Sequence, residues 1–475
     1  MALPQCHYTL PQGPIGHDFI TQLTTELQGV RERKWNSERP LVFSMVILTQ
    51  MDSKLHFSEV RACIKHHLKT WNMGNYQALV DDTNHTCWQF ITYSDRQAPT
   101  NDSKAHSFNG LVQSSRLCQV VRHLTSRDEG GVLHPNSLNN KTSCEVSDVL
   151  VDKHPNSHQP PIEALKDYDE ALEPLQLQVG YESFKSTTWK LSGSAAPSSI
   201  DTIDLQHWMF RFGAVSENLL NELILWTEWL TNASPSWSVY HAMMACRLIE
   251  IYKQPGVCPV DIGEVFRCLF VKAVITHTSS EAALACRSMN LCAGLPAGIK
   301  GTIHTLVKDC AFQAPPTPTT KTVEAIAAPP GSPGQSQATN PRLLTQPPEV
   351  DAYAIVLVDT QNSFNKLNHH TMLWMVRHRW PSGSQFAFNC YQHSAQLVLR
   401  QTSGRPRLLQ SHEGVTLGDP LSMILYGIGL LPLSESLHLH TPKLVQPWYV
   451  DDLTVLGKCS RIAQALDFLQ EHGSA

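Results

Sequence analysis

Apolar residues recur three and four positions apart through residues 19–33, 58–71, 111–125, 216–231 and 239–252, and that period predicts five helices. Gly16-His17-Asp18 supplies capping chemistry for the first. Residues 133–162 interrupt the pattern with His134-Pro135-Asn136-Ser137 and His154-Pro155-Asn156-Ser157-His158, which favour turns. Two histidines four apart suit zinc on a helix, but the Pro and Asn here oppose a helix, so a metal site is not expected at this pair. Residues 312–350 hold Pro315, Pro316, Pro318, Pro329, Pro330 and further prolines among Ala, Thr, Gln and Ser, the composition of a flexible linker.

The pattern changes after residue 350. Residues 352–358 form a continuous apolar run closed by Asp359, which reads as a fully buried strand. Residues 371–380 predict a helix stopped by Pro381. Residues 397–400 and 407–409 flank Ser403-Gly404 as a β-hairpin. Residues 419–438 predict one long apolar helix with Pro420 in its first turn. Residues 448–450 and 453–456 flank Asp451-Asp452, a hairpin with two carboxylates at its tip. Residues 460–472 predict a last helix, capped by Gly473. Helices followed by strands and helices give an α+β fold.

Composition narrows the class. The chain has 475 residues, 42% hydrophobic and 17% charged, enough to bury a sizeable core. No apolar run reaches the length of a membrane span, and the N-terminus has no signal-peptide pattern. The 13 cysteines contain no C-x-x-C pair and are expected reduced and mostly buried, which points to an intracellular protein, nuclear or cytoplasmic. With 37 Lys and Arg against 42 Asp and Glu, the net charge of −5 provides no global basic footprint.

Asp359 and Asp451-Asp452 each stand at a strand end. If the strand and hairpin are neighbours, the three carboxylates converge, and burying them without partners is costly. A pair of divalent cations offsets that cost, and oxygen ligands favour Mg²⁺. Asp-Asp in a turn is weak by itself, since Asp81-Asp82 occurs elsewhere in the chain.

The combination resembles reverse transcriptases of non-LTR-like retroelements. Tyr449-Val450-Asp451-Asp452 looks like their Y-x-D-D box. Val358-Asp359, with Phe364-Asn365 five residues on, is similar to their first palm motif. The segment from Glu413 through Gly418-Asp419-Pro420 to Ser422 looks like their Q-G-D/S-P-L-S motif. Upstream, the stretches from Gly193 to Asp201, Arg247 to Val260 and Leu291 to Gly298 are similar to their earlier segments, so the resemblance covers about 186–473. It implies a helical N-terminal region over 1–185, fingers and upstream palm over 186–311, the linker 312–350, and a palm of antiparallel strands backed by helices over 351–475.

The implied activity is RNA-directed DNA polymerisation. Its partners would be an RNA template, a DNA primer and deoxynucleoside triphosphates, with no membrane, and its cofactor two Mg²⁺ ions, or Mn²⁺. Asp359, Asp451 and Asp452 would be the catalytic and metal-holding residues. Phe364, Gly418 and Lys253 would contact the nucleotide, and Tyr449 would lie under the primer terminus. Arg116, Arg122 and Arg127 read as a solvated face or as template contacts.

The sequence departs from the family at Cys258 (usually Arg), Leu417 (usually Gln) and Asn290 (commonly Gln). Only residues 453–475 follow the Asp pair, which leaves no room for a thumb. These departures motivate the alternative of a truncated, inactive remnant that at most binds nucleic acid.

Overall fold

The computed structural model describes residues 7–50, 56–94, 133, 135–139, 143–160, 175–252, 256–286, 289–290, 351–400 and 406–473, with scattered positions in 105–112, 162–165 and 300–308. Lys253, Arg116, Arg122, Arg127, the Ser403-Gly404 turn and the Pro-rich segment lie outside the described residues.

Four helices open the chain: α1 (Pro14–Arg31), α2 (Glu38–Leu48), α3 (Phe57–Asn72) and α4 (Tyr76–Ser94). α3 falls where helical periodicity puts it, and so does α1, but α1 starts at Pro14 after Gly13, so Gly16-His17-Asp18 lie inside it and do not cap it. α2 has no such signal because it is buried on nearly every side, so no polar stripe marks a period. Next come α5 (Val146–Lys153), α6 (Tyr181–Trp189), α7 (Thr202–Phe210) and α8 (Ala214–Asn232). Asp201 caps α7 by accepting from the Asp204 amide at 2.9 Å.

The helix expected over 239–252 is not there. A short helix α9 (Trp237–Tyr240) and a 3-10 turn lead into strand β1 (Cys246–Tyr252). Burial alternates along Cys246–Tyr252, so its two-residue period and its isoleucines outweigh the apparent helical spacing. β1 pairs antiparallel with β2 (Val257–Gly263), and α10 (Val265–Cys286) follows.

β3 (Tyr353–Val358) is a strand, as expected, but it is not fully buried. Tyr353, Ile355 and Leu357 are exposed, and Leu357 is 78% accessible. The apolar run reflects an edge strand with one covered face rather than a central one. After it come α11 (His369–Arg379) and α12 (Pro381–Tyr391). Pro381 ends the first helix as expected and also opens the second, because the first position of a helix does not use its N–H.

β4 (Ala395–Leu399) and β5 (Arg407–Ser411) form the expected hairpin. The single helix expected over 419–438 is two, α13 (Ser422–Gly429) and α14 (Leu431–His440). Pro432 lacks the N–H that would continue the ladder, and the break falls at Leu430. β6 (Trp448–Tyr449), β7 (Asp452–Lys458) and α15 (Cys459–His472) complete the chain.

The fold is α+β, and the described residues form two sheets. One has the order β2-β1-β4-β5 and is mixed, because β1 and β4 run parallel. The other is antiparallel, with the order β3-β7-β6. One large core runs from Tyr8 to Val450, so the opening helices and the region after 350 share it. The Trp226 indole, for example, donates to the Leu27 carbonyl at 3.0 Å and stacks on Phe270. A smaller core of Leu437, Trp448, Leu453, Val455 and Ile462 lies between the three-stranded sheet and α14–α15. Among the described residues no helix is long and apolar enough to cross a membrane. Among the described cysteines Cys246, Cys286 and Cys390 are buried, whereas Cys144 and Cys459 are exposed, so their burial is less general than expected.

Candidate active site

The β6–β7 hairpin closes through Val450 and Asp451, with Tyr449 paired to Asp452. The tight turn forces Val450 to φ 57°, a left-handed conformation that a β-branched residue rarely adopts. Trp448 points into the small core while Tyr449 packs on the large one, as alternation along a strand requires.

β3 runs antiparallel to β7 and ends with Val358 opposite Leu453. Asp359 directly follows this last pair on one strand, and Asp452 directly precedes it on the other. Two aspartates 93 positions apart in the chain are thus brought to the same end of the β3–β7 pair. Asp359 and Asp452 are exposed and Asp451 half-buried. The expected burial of all three is therefore corrected: Asp359 and Asp452 are open to water and only Asp451 is partly covered, so desolvation gives little reason to require cations.

Asp451 is held from the other side. Ser363 donates its hydroxyl to Asp451 Oδ2 at 2.5 Å. Ser363 sits in the loop after Asp359, in which Asn362 takes the left-handed conformation (φ 58°) that asparagine tolerates. Phe364 stacks on Tyr426 at 4.9 Å, and burial, then the Asp451 charge, pushes the Tyr426 phenol above its ordinary range. Carboxylate oxygens are the hard donors that Mg²⁺ prefers. Among the described residues, however, no group of three His, Cys, Asp or Glu side chains is arranged to hold one ion.

Gly418 has φ 101°, and a Cβ there would meet the Asp261 carbonyl at 2.6 Å. Its lack of a side chain thus serves close approach to β2, where the Asp261 amide donates to the Leu417 carbonyl at 2.9 Å. Asp419 is buried. Its Oδ1 accepts from the Leu421 amide at 2.9 Å, and its Oδ2 pairs with Arg267 at 2.6 Å. Arg267 also donates to the Met244 carbonyl and the Tyr391 hydroxyl. Burial works against its charge, but Asp419 overrides this and holds its pKa well above the ordinary value. Arg267 went unnoticed in the sequence because a single Arg within an apolar helix looks like an exposed position.

A cavity of about 670 Å³ opens between the Gly193 loop, β2 and the Gly418 loop. Phe364, Leu417, Gly418 and Asp261 line it, together with Lys272 of α10. Burial pushes the Asp261 carboxyl up to about 7. Leu417 offers this cavity only a hydrocarbon surface. Cys258 is half-buried in β2 and bonds weakly to its neighbour's carbonyl.

Glu413 is a second buried group that the sequence did not single out for a role. Its carboxylate accepts from the Ser157 hydroxyl, the His158 amide, the Asn368 side chain and the His369 amide, at 2.7–3.2 Å. The Asn362 side chain donates to the Lys153 carbonyl, and that of Asn368 to the His158 carbonyl, both at 2.7 Å. Residues 153–158 therefore form a strap that ties the Asp359 loop to the Glu413 loop. His154 is buried, with its Nδ1 at 2.7 Å from the Leu150 carbonyl. No protein-family model matches this chain, and no curated protein matches it significantly.

Proposed function

We propose that the chain is a reverse transcriptase domain of right-hand polymerase type, adding deoxynucleotides to a DNA primer on an RNA template inside the cell. The observation that carries this reading is the meeting of three separated motifs. Asp359 and Asp452 flank the last β3–β7 pair, Val358 with Leu453, Ser363 of the first motif bonds Asp451 of the third, and Phe364 shares a cavity wall with Gly418 of the second. Asp359, Asp451 and Asp452 would hold Mg²⁺ or Mn²⁺. The bound ions would neutralise charge on the attacking and leaving oxygens. Phe364, beside the carboxylates, would bar a 2′-hydroxyl on the incoming sugar. Gly418 would form the floor under the nucleotide, Lys253 would meet its phosphates, and Tyr449 would support the primer end.

A second reading, a nucleic-acid-binding remnant without activity, is favoured by Leu417 in the cavity wall and by Cys258, neither of which can grip a phosphate or a base as Gln or Arg does. Primer extension on an RNA template with Mg²⁺ separates the two. Extension that disappears in Asp451→Asn and Asp359→Asn supports the polymerase. RNA retention that weakens steeply with salt, without synthesis, selects the remnant.

A further inference from the structure

Asn290 reaches the strained turn. Its side-chain Nδ2 donates to the Val450 carbonyl at 3.0 Å, and its Oδ1 accepts from the Val450 amide at 3.3 Å. It is 1% exposed, and its backbone forms a parallel bridge with Trp448. Gly427 of α13 makes room, since a Cβ there would lie 3.4 Å from the Asn290 amide carbon. Val450 lies past the end of the β6–β7 ladder, so its two polar backbone groups need partners from elsewhere. A carboxamide carries one donor group and one acceptor, as a peptide does, and can serve both groups at once.

We propose that Asn290 is a positioning residue that locks Val450 in its left-handed conformation and thereby aims Asp451 at Ser363. The turn is held between two anchors, Asn290 on the Val450 backbone and Ser363 on the Asp451 side chain. Without the first, Val450 relaxes to negative φ and the peptide carrying Asp451 rotates away from Asp359 and Asp452. The catalytic consequence rests on the polymerase reading, whereas the lock itself is a statement about backbone conformation.

Glycine adopts positive φ without steric cost, so Val450→Gly removes the need for a lock. The test introduces Asn290→Ala into the wild-type chain and into the Val450→Gly variant, and follows thermal unfolding and primer extension. In the wild-type background the substitution lowers the melting temperature and reduces kcat by about tenfold or more, with the KM for primer–template unchanged. In the Val450→Gly background both losses shrink. Equal losses in the two backgrounds overturn the proposal, since Asn290 would then be ordinary packing. If Asn290→Ala does not fold, folded protein in the double variant supports the lock, and failure of both overturns it. A wild-type chain that makes no DNA defeats the polymerase reading alone, because the melting comparison still judges the lock.

Discussion

The surroundings of Asp419 and of Asp359 differ in nearly every physical respect. Asp419 is buried, neutralised by Arg267, and fixed by hydrogen bonds from a helix start. Asp359 is exposed at the end of an edge strand whose outer face carries Tyr353, Ile355 and Leu357. Both belong to motifs that read alike in the sequence, an aspartate beside apolar residues. The first contributes to stability by holding a loop against β2, while the second leaves its carboxylate open to solvent. Burial, not residue type, separates an acid fixed into the fold from one left open to solvent.

Removing Arg267 should break this contrast most strongly. Arg267→Ala leaves the Asp419 charge buried and unpaired, and urea unfolding should show a loss of about 3–5 kcal/mol. Glu413→Gln ranks next. One of its carboxylate oxygens becomes an NH₂ facing other donors, for a loss of about 1–3 kcal/mol, with faster amide exchange in residues 154–158.

The pH dependence sharpens the contrast. Burial raises both Asp261 and Glu264 to about 7, from ordinary values of 3.8 and 4.5. Between those limits the folded state keeps protons that the unfolded state releases. Their contribution is therefore complete at acid pH and is lost as the pH rises toward 7. Asp261→Asn needs no proton, so it should flatten this decline and stabilise the protein at pH 8 by on the order of 1–2 kcal/mol, read from melting curves. The smallest effect belongs to the exposed acid. Asp359→Asn should move the urea midpoint by no more than about 0.5 kcal/mol of stability, and a larger shift would mean that the carboxylate has a structural partner.

Much of this arrangement was legible in the sequence. The carboxylate hairpin, the strand before Asp359 and the helices around residues 19–33 and 216–231 follow from period and turn chemistry. The misreadings have specific physical causes. Residues 246–252 satisfy both helical and strand spacing until the pairing with β2 decides. The edge position of β3 depends on what covers it, which composition does not encode. Arg267 and Glu413 were invisible as buried groups because their partners lie far away in the chain: Asp419 is 152 positions from Arg267, and Ser157 is 256 from Glu413. Asn290 stood out only as a departure from a motif, and its link to Val450 needed coordinates.

The strap has a consequence for how the chain is made. Residue 153 must wait for residue 362, and residue 158 for residue 368, separations of 209 and 210 positions. At about 5–20 residues per second, a ribosome needs on the order of ten to forty seconds to bridge that gap. Throughout it the nascent strap has none of these partners, and the acids around residue 451 come together later still.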